Sequence, residues 1–227
     1  MFTVPIPTKH QKGDTINFMR TLQYIISKYK EELISLKTDQ TSLEIIINSD
    51  WDKIDDNLKV IYCGDNPGKT EKEEQKYFVG NAGKELSLFI TTHNQRLGIE
   101  SNQFTFFNKT PFYSVKTSDI TKKKDCDKLV HKSIELTVEC LFQIWSVKKI
   151  PIIVFGINEK SYIVKSFKEI ILGKKYSEFS KNLTILNHPS YNSLFGEFGK
   201  LLIEALKKNE KVEINYDELI NSVKKNW

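Results

Sequence analysis

The sequence predicts an α/β fold: a three-layer α/β/α sandwich with a central four-stranded parallel sheet. Three observations lead there. Four short apolar runs, Leu58–Cys63, Phe104–Phe107, Ile150–Phe155 and Leu183–Asn187, are each bounded by turn-forming or polar residues and read as buried strands. The segments between them space their apolar residues as helices do. Strands alternating with helices imply crossover connections, and so a parallel sheet covered on both faces.

Taken in order, the spacing predicts a first helix over Asp14–Leu36. Asp14 can cap it, and Ile16, Met19, Leu22, Ile25, Ile26 and Tyr29 fall on one face. A second short helix is expected over Leu43–Ile47. The first strand stops at the turn Gly64-Asp-Asn-Pro-Gly68, and a loop with three glutamates follows over Lys69–Gln75. Ala82–Arg96 reads as a helix. The second strand leads into Asn108-Lys-Thr-Pro-Phe112 and a polar stretch holding Lys116, Lys122, Lys123 and Lys124. A long amphipathic helix is expected over about Asp125–Val147. Gly156 closes the third strand, and Asn158–Leu172 is expected to be helical. The fourth strand runs into His188-Pro-Ser190. Helices over about Asn192–Lys208 and Tyr216–Lys225 complete the chain. The expected organisation is one domain over 1–227, with an N-terminal helical extension over about 1–50.

The composition is that of a soluble globular protein. The 227 residues include 34 Lys+Arg and 29 Asp+Glu, a net charge of +5, with 28% charged and 39% apolar residues. A collagen-like chain, an acidic disordered tail and a polytopic membrane protein are excluded. Nearly all the positive charge is lysine, Arg20 and Arg96 being the arginines. Lysine can hold a phosphate backbone but is poorly suited to reading base edges bidentately. Cys63, Cys126 and Cys140 are odd in number and widely spaced. That argues against a disulfide framework and against a four-cysteine cluster, so no metal or cofactor is expected. The N-terminal stretch lacks the apolar core of a secretory signal, and the longest apolar run, near Ile150–Phe155, is far short of a membrane span. A cytoplasmic monomer is the expectation.

Parallel sheets place ligands at the carboxyl ends of their strands. Gly64, Asp65, Asn66 and Pro67 end the first strand, Asn108 the second and His188 the fourth, so these distant residues should converge at one rim. The turn 64–68 is not a phosphate loop, because its second glycine is not at the needed spacing: three residues separate Gly64 from Gly68, where such a loop has four. It offers a carboxylate beside an amide on a rigid turn. In Tyr77-Phe-Val-Gly-Asn-Ala-Gly83 the two glycines allow a close backbone approach, and Phe78 either stacks on a flat ligand or belongs to the core. Asn108 presents a donor and an acceptor together, which can match a pyrimidine edge. His188 sits on a proline-stiffened turn, whereas His10, His93 and His131 read as surface residues.

This order of motifs, strand–GDNPG, FVGNAGKEL, strand–Asn108, strand–HPS, resembles the uracil-DNA glycosylase superfamily over about Val60–Leu201. The FVGNAGKEL segment is most similar to the thermostable iron–sulfur branch. The GDNPG turn is closer to the mismatch-specific and single-strand-selective branches. There are departures. The iron–sulfur branch has four cysteines and this chain three, with Cys126 near one cluster position and read as structural. The best-known branch has a tyrosine after the first-motif proline that excludes thymine. Gly68 stands there, so exclusion of a methyl group comes from elsewhere or the pocket is more permissive. Tyr191-Asn-Ser-Leu194-Phe195 replaces the proline and intercalating leucine after the last motif.

The resemblance implies hydrolysis of the N-glycosidic bond of uracil, or a related deaminated base, flipped out of DNA. Asp65 matches the glutamate of the iron–sulfur branch. Its rival Asn66 aligns with the catalytic aspartate of the best-known branch and the water-positioning asparagine of the mismatch branch. Phe78 would stack on the base beside Gly64, Asn108 would read its Watson–Crick edge, and His188 would face O2. Phosphate and strand contacts are expected from Lys116, Lys122, Lys123, Lys124, Ser190, Tyr191 and Leu194. The alternatives are a non-catalytic DNA- or base-binding protein of the same fold and a small-molecule α/β enzyme. No nucleophile elbow or phosphate loop supports the last.

Overall fold

In the computed structural model the described residues are 14–36, 43–120, 126–156 and 161–187. Four strands form the sheet: β1 (Val60–Gly64), β2 (Phe104–Asn108), β3 (Ile152–Phe155) and β4 (Leu183–Leu186). Their order is β2-β1-β3-β4 and every pairing is parallel. The register sets Gly64 opposite Asn108, Cys63 opposite Val154 and Phe155 opposite Leu186. Strand ends from three distant parts of the chain therefore share one rim.

Side chains alternate across each strand, and both faces are covered, so the runs are mainly apolar, with Thr105 in β2 and Thr184 in β4 as the interruptions. On one face Ile61, Cys63, Ile152, Val154 and Ile185 pack with helices α1 (Asp14–Ser35), α4 (Cys126–Lys148) and α5 (Tyr162–Ile171). On the other, Val60, Tyr62, Ile153, Phe155 and Leu186 pack with Leu86 and Ile90 of α3 (Asn81–Arg96). This is the expected three-layer arrangement. In α1, Leu22, Ile25, Ile26, Tyr29 and Leu33 are buried; the side chains of Ile16 and Met19 lie outside the described part. No helix among the described residues is long and apolar enough to cross a membrane.

The structure corrects two local expectations. Leu43–Ile47 is extended rather than helical. Its run of three isoleucines is stiff at χ1 and suits an extended chain, and its backbone bonds lie elsewhere. Ile46 N–H donates to Pro111 O at 3.0 Å, Tyr113 N–H donates to Glu44 O at 2.8 Å, and Ile45 bridges Phe112. The chain then makes a short 3-10 turn, Ser49–Lys53. There the Trp51 indole and the Asn48 amide both donate to Phe106 O, at 2.9 and 3.1 Å. Edge strand β2 is thereby covered rather than left open. The second correction is Lys69–Gln75, expected as a loop. It contains helix α2 (Lys69–Glu74). Glu71 reaches back to accept the Gly68 N–H at 2.5 Å, half of a capping box. Beyond β3, a 3-10 turn (Lys174–Tyr176) and helix α6 (Ser177–Lys181) lead into β4.

Candidate functional site

The segment after β2 runs alongside the turn after β1. Lys109 N–H donates to Gly64 O at 2.8 Å, Thr110 N–H to Asp65 O at 3.2 Å and Ser114 N–H to Pro67 O at 3.2 Å. Thr110 Oγ1 also pairs with Ser133 Oγ of α4 at 2.7 Å. Two loops that would otherwise move separately are laced together at the rim.

Gly64 leaves the space in which Phe78 and Asn108 meet. A Cβ on Gly64 would stand 2.6 Å from Phe78 Cζ and 2.7 Å from Asn108 Oδ1. The Phe78 ring is half-buried and lies 4.9 Å from the Phe106 ring. It packs against both apolar cores, so it is core at one edge and faces the rim at the other. Its backbone is held in the left-handed region, φ 58°, which is uncommon for a bulky residue. Two contacts enforce this. Phe78 N–H donates to Glu71 Oε1 at 2.6 Å, and the first turn of α3 presses Gly83 onto the Phe78 carbonyl. A Cβ on Gly83 would lie 1.7 Å from Phe78 O. Of the two glycines expected to permit close approach, Gly83 does so; a Cβ on Gly80 would meet nothing nearer than 3.9 Å.

Asn108 is 3% exposed, and its Nδ2 has no hydrogen-bond partner among the described residues. A buried donor left unpaired costs about 1–3 kcal/mol. The Asn108 atom nearest the Gly64–Phe78 space is Oδ1; the unpaired Nδ2 at the same strand end suits a ligand carbonyl.

Asp65 and Asn66, neighbours in sequence, do different things. Asn66 holds the 114–117 loop: its Nδ2 donates to Pro67 O at 3.1 Å and Ser114 O at 3.3 Å, and its Oδ1 accepts from the Thr117 hydroxyl at 2.7 Å. Asp65 Oδ1 accepts from Lys109 Nζ at 2.5 Å. Lys109 also donates to the Phe155 carbonyl at the end of β3. Its side chain is wholly buried, while that of Asp65 is 15% exposed.

Two further groups lie beneath the rim. Burial holds the Glu71 carboxyl above the ordinary glutamate range, opposed by the N–H groups of Gly68 and Phe78. Burial also pushes the Cys63 thiol up to about 12, which keeps it a neutral thiol rather than a nucleophile. Cys63, Cys126 and Cys140 are each buried and free.

Of the site residues read from the sequence, Gly64, Phe78 and Asn108 meet, with Asp65 and Asn66 on the adjoining turn. Lys116 is exposed on the same loop, where its carbonyl accepts from Ser114 Oγ at 2.5 Å. His188, Ser190, Tyr191, Leu194, Lys122, Lys123 and Lys124 lie outside the described residues. Sequence reasoning passed over Lys109 and Glu71. The signal for Lys109 was its place directly after a strand end. That for Glu71 was its spacing three residues after Gly68, as in a capping box.

None of the curated proteins compared matches this chain. The family model described as the uracil DNA glycosylase superfamily matches residues 51–210. That span is more than two thirds of the 227 residues and contains all four strands, the turn 64–68, Phe78 and Asn108. On that match the chain belongs to the uracil-DNA glycosylase superfamily.

Proposed function

We propose that this protein is a monofunctional DNA glycosylase that hydrolyses the N-glycosidic bond of uracil, or a related deaminated base, flipped out of DNA. Family membership supports DNA glycosylase chemistry with DNA as partner. The observation that carries the finer reading is the meeting of Phe78 and Asn108 at Gly64, with the buried Asn108 Nδ2 unpaired. An unpaired N–H selects a base that presents a carbonyl oxygen. Uracil does so at O4, where cytosine carries an amino donor that would leave Nδ2 unsatisfied. Phe78 supplies the stacking surface that replaces the lost neighbours of a flipped base.

In this reading the C1′–N bond breaks with its electron pair leaving on the base, and water forms the new C1′–O bond as one of its O–H bonds breaks, the released proton neutralising the departing base anion. Positive charge grows on the sugar and negative charge on the base. Asp65 answers the first and orients the water; His188, at the O2 side, answers the second. Asn66 supports the reaction by holding the 114–117 loop, which offers Lys116 to a phosphate. Lys122, Lys123, Lys124, Ser190, Tyr191 and Leu194 complete the DNA contact. The protein works as a cytoplasmic monomer without a metal or cofactor.

The test is base excision on labelled oligonucleotides carrying one uracil, single-stranded or opposite adenine or guanine, with abasic sites revealed by alkali. Excision is expected to fall at least ~100-fold in Asp65→Asn and in His188→Ala. Absence of abasic sites on every strand, with salt-sensitive DNA binding retained, would replace this reading with a non-catalytic DNA-binding protein of the same fold.

A further inference from the structure

A lysine ammonium wholly removed from water is uncommon unless it is paired. Lys109 is such a group, and it is tied to three strand ends at once. Its backbone N–H bonds Gly64 O of β1, its Nζ bonds the Phe155 carbonyl of β3, and it directly follows Asn108 of β2. The same Nζ meets Asp65 Oδ1 at 2.5 Å. The Asp65 carboxylate is confined from the other side as well. A Cβ on Gly156 would lie 2.8 Å from Oδ1 and 3.2 Å from Oδ2. Phe167 closes the space behind, with Nζ 5.8 Å from its ring centre.

A buried ion pair is a poor device for stability alone. A well-packed apolar side chain of similar volume does as well or better, because neither charge then loses its water. What the pair does supply is a fixed direction for a carboxylate that keeps 15% of its surface open. From this geometry we infer that Lys109 is the positioning residue for Asp65. This inference rests on the glycosylase reading. With no exposed surface, Lys109 touches neither sugar nor base and acts only through Asp65. Charge stabilisation at a developing cation depends on donors and acceptors already in place when charge appears. A carboxylate tethered through Oδ1 to the strand ends meets that condition; one on a free turn does not. The same strand end thus supplies both the amide that reads the base and the clamp on the carboxylate.

The experiment is a double-variant cycle on the full chain, using a uracil-containing single strand with enzyme in excess. Lys109→Met keeps the length of the side chain and removes the charge. It is expected to lower the single-turnover rate ~100-fold, the order of loss that follows a displacement of about 1 Å. Binding to a strand carrying a stable abasic analogue should stay within about threefold of wild type, because Lys109 touches no DNA. The decisive comparison is Asp65→Asn against D65N/K109M, each rate taken above the no-enzyme background. Once Asp65 carries no charge, removing Lys109 should change nothing, whereas independent roles would multiply the two losses. The double variant leaves no charge orphaned, and in Asp65→Asn the Lys109 ammonium keeps the Phe155 carbonyl and an amide oxygen at position 65 as acceptors, so this comparison stands even where Lys109→Met alone, which orphans the Asp65 carboxylate, fails to fold. Wild-type excision with Lys109→Met equally fast, or D65N/K109M a further ~100-fold slower than Asp65→Asn, would overturn the inference and leave the glycosylase reading intact. A wild-type protein that excises nothing sinks that reading, and the inference with it.

Discussion

Substituting alanine for Gly64 adds one methyl group at the point where the ring and the amide meet. The new Cβ would stand 2.6 Å from Phe78 Cζ and 2.7 Å from Asn108 Oδ1. Carbon atoms in ordinary contact are about 3.5–4.0 Å apart, so the ring must retreat by roughly 1 Å. It has little freedom to do so. Glu71 holds its N–H, Gly83 sits on its carbonyl and Phe106 lies against its face at 4.9 Å. Overpacking of this kind costs about 1–3 kcal/mol, which for a chain of this size lowers the melting temperature by roughly 2–12 °C. A 1 Å error in the base platform should slow excision by about 100-fold. The measurement is a thermal melt with single-turnover excision of uracil, repeated in a Phe78→Ala background. There the ring is gone and only Asn108 Oδ1 still crowds the new Cβ, so the added methyl group should cost less on both scales. A Gly64→Ala protein that melts and excises like wild type would refute the geometry, and equal costs in the two backgrounds would show that Phe78 is not what the methyl group meets.

Two other predictions follow from the same rim. Asn108→Leu removes a buried donor without a partner and keeps the branched shape, so the melting temperature should hold or rise while uracil excision falls at least ~100-fold; a fall in melting temperature of several degrees would contradict the unpaired state of Nδ2. Glu71→Gln can accept only one of the N–H groups of Gly68 and Phe78 and should lose about 1–3 kcal/mol at neutral pH. Because burial raises the Glu71 pKa in the folded state, the stability it contributes is fullest below its unfolded value and is lost as pH rises through the raised one. The wild-type advantage over Glu71→Gln should therefore shrink as pH rises above the ordinary glutamate value; melts across that rise in which the advantage grows would reverse the sign.

Much of this molecule is legible in its sequence because most of it is decided by local burial. The four strands are covered on both faces, so each reads as a mainly apolar run, interrupted only at Thr105 and Thr184, and Gly64, Asn108 and Gly156 mark where the runs stop. Strand ends in a parallel sheet share a rim, so Gly64 and Asn108 read as neighbours from topology, whereas Phe78, which ends no strand, was joined to them by the family resemblance. Local pattern failed where two states suit the same residues. The isoleucines 45–47 fit a helix or an extended chain equally by periodicity, and the bonds to the Pro111–Tyr113 segment decide for the extended form.

Only the tertiary structure shows which groups of the rim meet. A lysine in a chain with 34 basic residues reads as solvated charge; Lys109 is buried because three strand ends close around it. Asp65 and Asn66 are adjacent; the family resemblance favoured Asp65 as the carboxylate and kept Asn66 as its rival. Side chains of successive residues on a turn point different ways, so one meets the β2 and β3 ends and the other the 114–117 loop. Periodicity records which side of an element faces the core. It holds no record of which residue, 44 positions away as Lys109 is from Asp65, will be the partner, since that distance is set only when the sheet assembles.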